Sequence, residues 1–299
     1  MTILEIKDLK KSFGEKEVLR GLSLSVPEHS VFGFIGRNGA GKTTTMKAVL
    51  GLISPDGGEI CVAGEKVSRG QNSTNRYIGY LPDVPEFYPF MTAQEYLALC
   101  GESLGMSKAD IKARSEELLS LVGLAEEKHR VRGYSRGMKQ RLGIAQALLA
   151  RPKLLICDEP TSALDPVGRK EILDILLAAK EQTTVLFSTH ILSDVERICT
   201  DAAFLAHGKI AVQGGVAELK KLQTAEEFTL ELASAEHIPA LTARFPLAKA
   251  AGKETLSFCG GEEEMHALLA FIAEKKIAFT KIERAEPTLE TLFMEVASK

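Results

Sequence analysis

The feature that most constrains this chain is a glycine-rich stretch near its N-terminus. The stretch fits the pattern G-x-x-x-x-G-K-[ST] and reads Gly36-Arg37-Asn38-Gly39-Ala40-Gly41-Lys42-Thr43. Glycines at such positions let the backbone turn tightly and point consecutive N–H groups inward, which makes a nest for an anion. The pattern is therefore typical of a P-loop, which cradles the phosphates of a nucleotide.

The segments on either side of this stretch supply the context that a P-loop requires. Val31–Ile35 is predicted to be a buried strand and Thr44–Leu50 a helix. The positive end of the helix dipole then lies at the phosphates. Lys42 can reach the β- and γ-phosphate oxygens, and the Thr43 hydroxyl can hold Mg²⁺. A glycine-rich turn without a ligand is the alternative, and it leaves this strand–loop–helix order unexplained.

The composition argues against several other classes of protein. The chain has 299 residues, which suffice for one large α/β domain and a small one. The net charge of −3 gives no general attraction to nucleic acid or anionic lipid. No apolar run approaches the ~18 residues of a membrane span. The 5 cysteines have no CxxC spacing, which favours a reducing compartment over a disulfide framework or zinc site. We therefore expect a cytoplasmic protein that does not bind nucleic acid.

Residues 1–219 read as one α/β domain. It opens with two strands, Thr2–Leu9 and Leu22–Val26. A helical subdomain is predicted over about 85–150, where Thr92 and Ser107 have the sequence pattern of helix N-caps. Further predicted segments are strands 59–63, 76–81, 153–157, 183–188, 202–205 and 209–213, and helices 136–150, 167–180 and 191–199.

Residues 220–299 differ in character and are predicted to form a separate small α+β domain. The predicted elements are strands 228–232, 255–258 and 277–283 and helices 236–244, 262–274 and 288–297. No residues in this segment have site-like spacing, so its function cannot be inferred from its chemistry.

A second motif follows the apolar strand that ends at Cys157. Asp158 and Glu159 stand at the C-terminal end of this strand, which is where open α/β sheets bind their ligands. Successive side chains on a strand point to opposite sides, so the two carboxylates can do different work. Asp158 would hold Mg²⁺, and Glu159 would accept hydrogen bonds from an attacking water. A surface acidic pair at a strand end is the alternative.

Further motifs follow in a fixed order, and with them residues 1–215 resemble the nucleotide-binding subunit of ATP-binding cassette (ABC) transporters. Tyr134–Met138 is similar to the family's signature sequence, where Ser135 and Gly137 begin a helix and form a second anion site. Ser162–Asp165 resembles the D-loop, and Ser188-Thr189-His190 resembles the switch loop.

The resemblance implies a P-loop NTPase fold of the ABC type, with an antiparallel β subdomain, a helical subdomain and the small C-terminal α+β domain. It implies ATP and Mg²⁺ as ligands and Lys42, Glu159 and His190 as catalytic residues. Phe13 would stack on adenine, and Thr43, Asp158 and Asp83 would hold the metal ion. The implied nucleotide-binding residues are Phe13, Asn38, Gly39, Ala40, Gly41, Lys42, Thr43, Thr44, Ser135 and Gly137.

In this family two cassettes pair head to tail, and each ATP lies between the P-loop of one and the signature of the other. One chain cannot readily bring both anion sites to the same γ-phosphate, because a helical subdomain separates them. The resemblance therefore implies a second ATP-binding subunit as partner. Since all the catalytic motifs are present, a homodimer is expected.

Two residues depart from the family pattern. Asp83 stands where the Q-loop usually has Gln, and Arg136 stands where the signature commonly has Gly. An acidic residue at the first position resembles the subgroup that serves ABC-2-type exporters, and so does the ending of the chain, 286–293. Arg136 either adds charge near the dimer interface or points to solvent, and the sequence leaves both open.

The leading hypothesis is an ATPase that powers export through separate ABC-2-type transmembrane permease subunits, which hold it at the inner face of the cell membrane. The apolar cluster formed by residues 87–90 either faces the permease or caps the helical subdomain. The ATPase of an ABC importer is one alternative. A soluble ABC ATPase acting on ribosomes or DNA is another, and the single P-loop and the absence of a heptad repeat argue against it.

Overall fold

The chain is described by a computed structural model that covers residues 1–68, 73–222, 227–260, 262–284, 288–290 and 292–293. It divides into two compact units, Met1–Val216 and Ala217–Lys299. The sequence predicts this boundary after residue 219. Across the described ranges, no helix is both long enough and apolar enough to cross a membrane.

The first unit alternates strands and helices as the sequence predicts. Its strands are β1 (Thr2–Phe13), β2 (Lys16–Pro27), β3 (Val31–Gly36), β4 (Gly57–Val62), β5 (Glu65–Lys66), β6 (Ile78–Leu81), β7 (Leu154–Cys157), β8 (Thr184–Thr189), β9 (Asp201–Ala206) and β10 (Lys209–Gly215). Its helices are α1 (Lys42–Val49), α2 (Ala93–Ser103), α3 (Lys108–Leu121), α4 (Arg136–Leu148), α5 (Pro166–Ala179) and α6 (Leu192–Ile198), and α7 (Val216–Lys221) begins at the unit boundary.

The first two strands are longer than predicted. They form a hairpin whose last paired residues are Phe13 and Lys16, and Gly14 in the turn has φ 60°. The outer half of this hairpin is polar and mostly exposed, so it lacks the apolar alternation that marks a strand in the sequence. Cross-strand pairing forms this half of the hairpin, and it places Phe13 at the tip.

Two sheets build the first unit. The antiparallel sheet has the order β2-β1-β4-β5, and the larger sheet has the order β10-β9-β3-β8-β7-β6, with β9, β3, β8, β7 and β6 parallel. All residues of β3, β7 and β8 are buried, as expected for central strands of a parallel sheet. Because these strands run in one direction, their carboxyl ends meet at one edge, where the P-loop, Asp158 and His190 follow.

An apolar core lies between the two sheets and α1. It combines buried side chains of β1, β2 and β4 with Phe32 and Phe34 of β3 and Met46 and Val49 of α1. Burying a side chain of this size stabilises the fold by about 1.5–3 kcal/mol. The core therefore fixes α1 against β3, and the loop that joins them has little freedom.

The helical segment begins where its caps predict. Thr92 caps α2 in a full capping box with Glu95, and Ser107 accepts a hydrogen bond from the backbone N–H of Asp110 at the start of α3. One prediction nearby is wrong, because Arg76 and Tyr77 belong to a 3₁₀ helix, Ser73–Tyr77, and the strand β6 starts after it.

The second unit has a β-α-β-β-α-β order. It contains β11 (Glu227–Leu232), α8 (Ile238–Arg244), β12 (Ala248–Ala250), β13 (Thr255–Cys259), α9 (Glu262–Glu274) and β14 (Phe279–Arg284). The sheet order is β12-β13-β11-β14, all antiparallel, which is the ferredoxin-like arrangement. The short strand β12 is not predicted from the sequence. Of the predicted last helix, residues 291 and 294–297 lie outside the described residues, as do 286, 287 and 291 of the ending 286–293.

Candidate nucleotide-binding site

The loop between β3 and α1 has the backbone that its glycines predict. Gly39 has φ 80° and Gly41 has φ 113°, in the region that side chains disfavour. A Cβ on Gly41 would lie 2.8 Å from Cδ2 of Leu19, so this position also lacks space. Gly41 is the N-cap of α1, and no side chain caps the helix. The first N–H groups of α1 therefore remain for an anion.

Lys42 is held at the floor of this loop. Its Nζ donates to the backbone oxygen of Gly36 at 2.6 Å and lies 3.0 Å from Oε1 of Glu159. The lysine side chain is 6% exposed and that of Glu159 is 14% exposed, so little water screens the pair. A phosphate oxygen that binds the Lys42 ammonium would therefore compete with Gly36 O and Glu159 Oε1.

Asp158 is buried and forms two hydrogen bonds through different oxygens. Its Oδ2 accepts from the Thr43 hydroxyl at 2.7 Å, and its Oδ1 accepts from the Ser188 hydroxyl at 2.6 Å. The two bonds fix the carboxylate plane, with Oδ2 directed towards the start of α1. Ser188 is a residue of β8 within the segment that resembles the switch loop, and the sequence does not reveal this contact.

Glu159 lies between Lys42 and His190. Its Oε2 is 2.9 Å from Nδ1 of His190, and its backbone N–H donates to the Ser188 hydroxyl at 2.9 Å. The residue has φ 48°, which costs a non-glycine residue about 1 kcal/mol or more. This backbone conformation directs the Glu159 side chain into the cleft, whereas the buried Asp158 does not line it.

The P-loop faces a cleft of about 550 Å³ that gathers most of the predicted site. Predicted residues that line it are Phe13, Asn38, Gly39, Gly41, Lys42, Thr43, Thr44, Asp83, Glu159 and His190. Phe13 is half exposed, and Nζ of Lys11 lies 5.4 Å from the centroid of its ring. Lys16, Val18 and Ser162 also line the cleft. Ser162 lies in the segment that resembles the D-loop, whereas Lys16 and Val18 are not predicted from the sequence. Lys16 could have been found only from the hairpin register that pairs it with Phe13.

Asp83 lies on the cleft wall and contacts α4. Its Oδ1 is 3.4 Å from Nη2 of Arg136, and its backbone oxygen accepts from Nε2 of the buried Gln140 at 2.6 Å. Partial burial raises the pKa of Asp83, Arg136 opposes that rise, and the charges of Asp158 and Glu159 add to it. The two residues that depart from the family pattern, Asp83 and Arg136, thus pair with each other. The sequence does not predict this contact.

The signature residues Ser135 and Gly137 lie outside the P-loop cleft. Ser135 is the N-cap of α4, and its hydroxyl accepts from the backbone N–H of Met138 at 3.2 Å. Among the described residues that line the P-loop cleft, Ser135, Gly137 and Ala40 are not found.

The donor set beside the P-loop fits a small hard cation. Thr43 and Asp158 supply a hydroxyl and a carboxylate oxygen 2.7 Å apart, and oxygen ligands of this kind suit Mg²⁺. Within the described part of the chain, no group of three or more His, Cys, Asp or Glu residues could hold a metal ion by itself. A magnesium ion here would therefore take its other ligands from the nucleotide and water, as is usual for Mg²⁺ on phosphates.

Comparison with known proteins shows the family to which the chain is similar. Residues 19–162 match the family described as "ABC transporter". An uncharacterized ABC transporter ATP-binding protein of Bacillus subtilis, YxlF, is 40% identical over 299 residues, covering 98% of this chain and 99% of the relative. The linearmycin resistance ATP-binding protein LnrL of the same organism is 30% identical, covering 99% of each chain.

A solved structure agrees with the sequence relatives. The structure of an ATP-binding subunit of an ABC transporter is 32% identical with a TM-score of 0.65, covering 74% of this chain and 92% of that one. The predicted P-loop NTPase fold of the ABC type is thereby confirmed.

Proposed function

Because this chain belongs to the family of ABC transporter ATP-binding proteins, we propose that it binds Mg²⁺-ATP between two cassettes and uses hydrolysis to drive export through separate membrane permease subunits. The family hydrolyses ATP, so the chain is the ATPase subunit of a transport system. One observation supports the proposed roles of individual residues. Glu159 contacts both Lys42 and His190, so the three side chains form a continuous row beside the P-loop.

The contacts of Glu159 suggest how binding prepares hydrolysis. Both of its carboxylate oxygens have partners, Oε1 with Lys42 and Oε2 with His190. A triphosphate in the P-loop attracts the Lys42 ammonium, because its oxygens carry more negative charge than one carboxylate. Glu159 Oε1 is then free to accept a hydrogen bond from a water, and His190 holds the other oxygen in place. Glu159 thereby orients the attacking water, and His190 positions Glu159.

Thr43 and Asp158 would hold the magnesium ion. Bound Mg²⁺ supplies positive charge that neutralises the developing charge on the phosphates. The buried Asp158 keeps Oδ2 directed at Thr43 through its second bond to Ser188. Asp83, on the wall of the same cleft, would reach the ion through water.

A second copy of the chain would complete each site. The P-loop cleft has the lysine and the carboxylates, whereas Ser135 and Gly137 are not among the residues that line it. A head-to-tail homodimer brings the signature of one copy to the P-loop of the other, and hydrolysis then places repelling charge between the two copies.

The permease partner would contact the apolar cluster at residues 87–90. The Phe87 ring packs edge-on against Tyr96 of α2 with centroids 5.0 Å apart, so it belongs to the helical segment. Tyr88 and Phe90 are more than half exposed and lie next to each other, which is typical of a contact surface. Such a contact would hold the subunit at the inner face of the cell membrane. The relationship to a resistance protein and the acidic Asp83 support export.

The experiment that tests this proposal is the substitution Glu159→Gln. We expect ATP binding to persist while turnover falls at least about a hundredfold, because the amide is a poor acceptor for the attacking water. Scattering of the variant with Mg²⁺-ATP should show dimers, and wild type with ADP should show monomers. A variant that hydrolyses ATP at the wild-type rate contradicts the role of Glu159. Monomers alone at saturating Mg²⁺-ATP contradict the shared site.

A further inference from the structure

We propose that Ser188 is a positioning residue for ATP hydrolysis, because its buried hydroxyl bonds both the carboxylate of Asp158 and the backbone N–H of Glu159. This inference rests on the proposed roles of Asp158 and Glu159. Ser188 is the fifth residue of β8 and is fully buried. Its side chain does not line the cleft, so it acts through Asp158 and Glu159 and does not touch the nucleotide.

The two hydrogen bonds of Ser188 have opposite directions. The hydroxyl donates to Oδ1 of Asp158 at 2.6 Å and accepts from the backbone N–H of Glu159 at 2.9 Å. A hydroxyl can do both at once, whereas alanine does neither and a thiol does both weakly. Removing the hydroxyl leaves a buried carboxylate oxygen and a backbone N–H without these partners.

Each bond controls a different feature of the site. The bond to Oδ1 prevents rotation of Asp158, so Oδ2 stays with the Thr43 hydroxyl. The bond from Glu159 N–H supports a backbone with φ 48°, and this conformation directs the Glu159 side chain towards Lys42 and His190. Without Ser188, both the cation-binding oxygen and the water-orienting carboxylate gain alternative positions.

Thr184 offers a matched control on the same strand. It is buried near the opposite end of β8, and its hydroxyl accepts from the backbone N–H of His29 at 2.9 Å. Thr184→Ala therefore removes a buried hydroxyl and orphans a backbone N–H, as Ser188→Ala does, but away from the nucleotide cleft. A purely structural effect of losing a hydroxyl from β8 should be similar in both variants.

The test compares steady-state ATP hydrolysis and melting temperature in Ser188→Ala, Ser188→Thr, Ser188→Cys and Thr184→Ala. We expect kcat of Ser188→Ala to fall about 10- to 100-fold, the range seen when a supporting contact behind a metal ligand is lost. The KM for Mg²⁺-ATP should rise by a smaller factor than kcat falls, because the P-loop itself is intact. Thr184→Ala should keep kcat within about twofold. Ser188→Thr should restore kcat, and Ser188→Cys, which conserves volume, should not.

A binding measurement without turnover complements the kinetics. Calorimetric titration with ATP should give the same affinity for wild type and Ser188→Ala in EDTA, whereas the additional affinity that Mg²⁺ provides should be smaller in the variant. Equal gains from Mg²⁺ in both proteins would contradict the proposed effect on Asp158.

The outcomes separate this inference from the proposed function. If Ser188→Ala and Thr184→Ala have equal kcat while Glu159→Gln is inactive, Ser188 has no positioning role and the function stands. If Ser188→Cys is as active as wild type, the hydroxyl is not required and the inference fails. If Glu159→Gln retains turnover, the proposed function fails first, irrespective of Ser188.

Discussion

The two helix N-termini predicted to bind phosphate, those of α1 and α4, are built differently. At the P-loop, the N-cap is a glycine and no side chain caps the helix. The buried Lys42 is paired with Glu159, and Thr43 donates to Asp158. The signature site has Ser135 as N-cap, and this serine already satisfies the N–H of Met138. The P-loop thus leaves the N–H groups of its helix for a ligand, although its cation Lys42 is already paired with Glu159. At the signature, Ser135 is exposed and already bonds one N–H of its helix.

This difference indicates a division of labour. We expect an uncapped helix and a buried ammonium that can exchange Glu159 for a phosphate to bind a triphosphate within one copy of the chain. The signature site has one hydroxyl and a few backbone N–H groups, which suffice to recognise a phosphate that is already bound. We infer that the P-loop determines whether ATP binds, and that the signature determines whether a second cassette closes on it.

The largest expected effect is that of Lys42→Ala. Loss of the buried ammonium leaves Glu159 without its partner and the phosphates without their main cation, so we expect turnover to fall at least about a thousandfold. ATP titration measures binding, and phosphate release measures hydrolysis. The control is Lys47→Ala, an exposed lysine in the last turn of the same helix, which should behave like wild type. Unchanged ATP binding and hydrolysis in Lys42→Ala would remove the P-loop assignment.

Ser135→Ala should have an intermediate effect. The loss of the cap costs about 1 kcal/mol of stability, and the loss of a phosphate ligand should lower kcat about 10- to 100-fold. Ser107→Ala is the matched control, because it removes the N-cap serine of α3, whose hydroxyl accepts from the N–H of Asp110. It should lose similar stability and keep its ATPase activity.

Mixing the two variants sharpens the comparison. In a head-to-tail pair of Lys42→Ala with Ser135→Ala, one site has both defects and the other has none. We expect the equimolar mixture to recover up to about a quarter of the wild-type rate, because half of random pairs are mixed and one site of two is intact. A mixture no more active than its components contradicts sites shared between copies.

The smallest effect concerns the contact that joins the two sites within one chain, Arg136 with Asp83. Burial raises the pKa of Asp83, so its contribution to stability is largest at low pH and falls as pH rises through the raised pKa. Arg136 opposes this rise, so Arg136→Gln should raise the pKa further. The variant should therefore lose more stability at pH 7 than at pH 4, by less than about 1 kcal/mol for such an exposed pair. Melting curves in the Asp83→Asn background provide the control. There, the effect of Arg136→Gln on stability should no longer depend on pH.

Local signals explain why much of the fold could be predicted. The continuous apolar runs of β3 and β7, the glycine spacing before α1 and the caps Thr92 and Ser107 each depend on a few neighbouring residues. The outer half of the β1–β2 hairpin and the short β12 were missed, because pairing with other strands forms them and their own residues show no strand pattern.

By itself, the sequence determined the ligand class and predicted the reacting groups, because P-loop chemistry requires certain residue types at fixed spacing. Only the tertiary structure decided which groups touch. It joins Ser188 of β8 to the Asp158 carboxylate and the Glu159 backbone N–H, which follow β7, and it pairs Arg136 with Asp83. Those contacts join residues that are far apart in the chain, and the order of strands in the parallel sheet and the packing of α4 bring them within hydrogen-bonding distance.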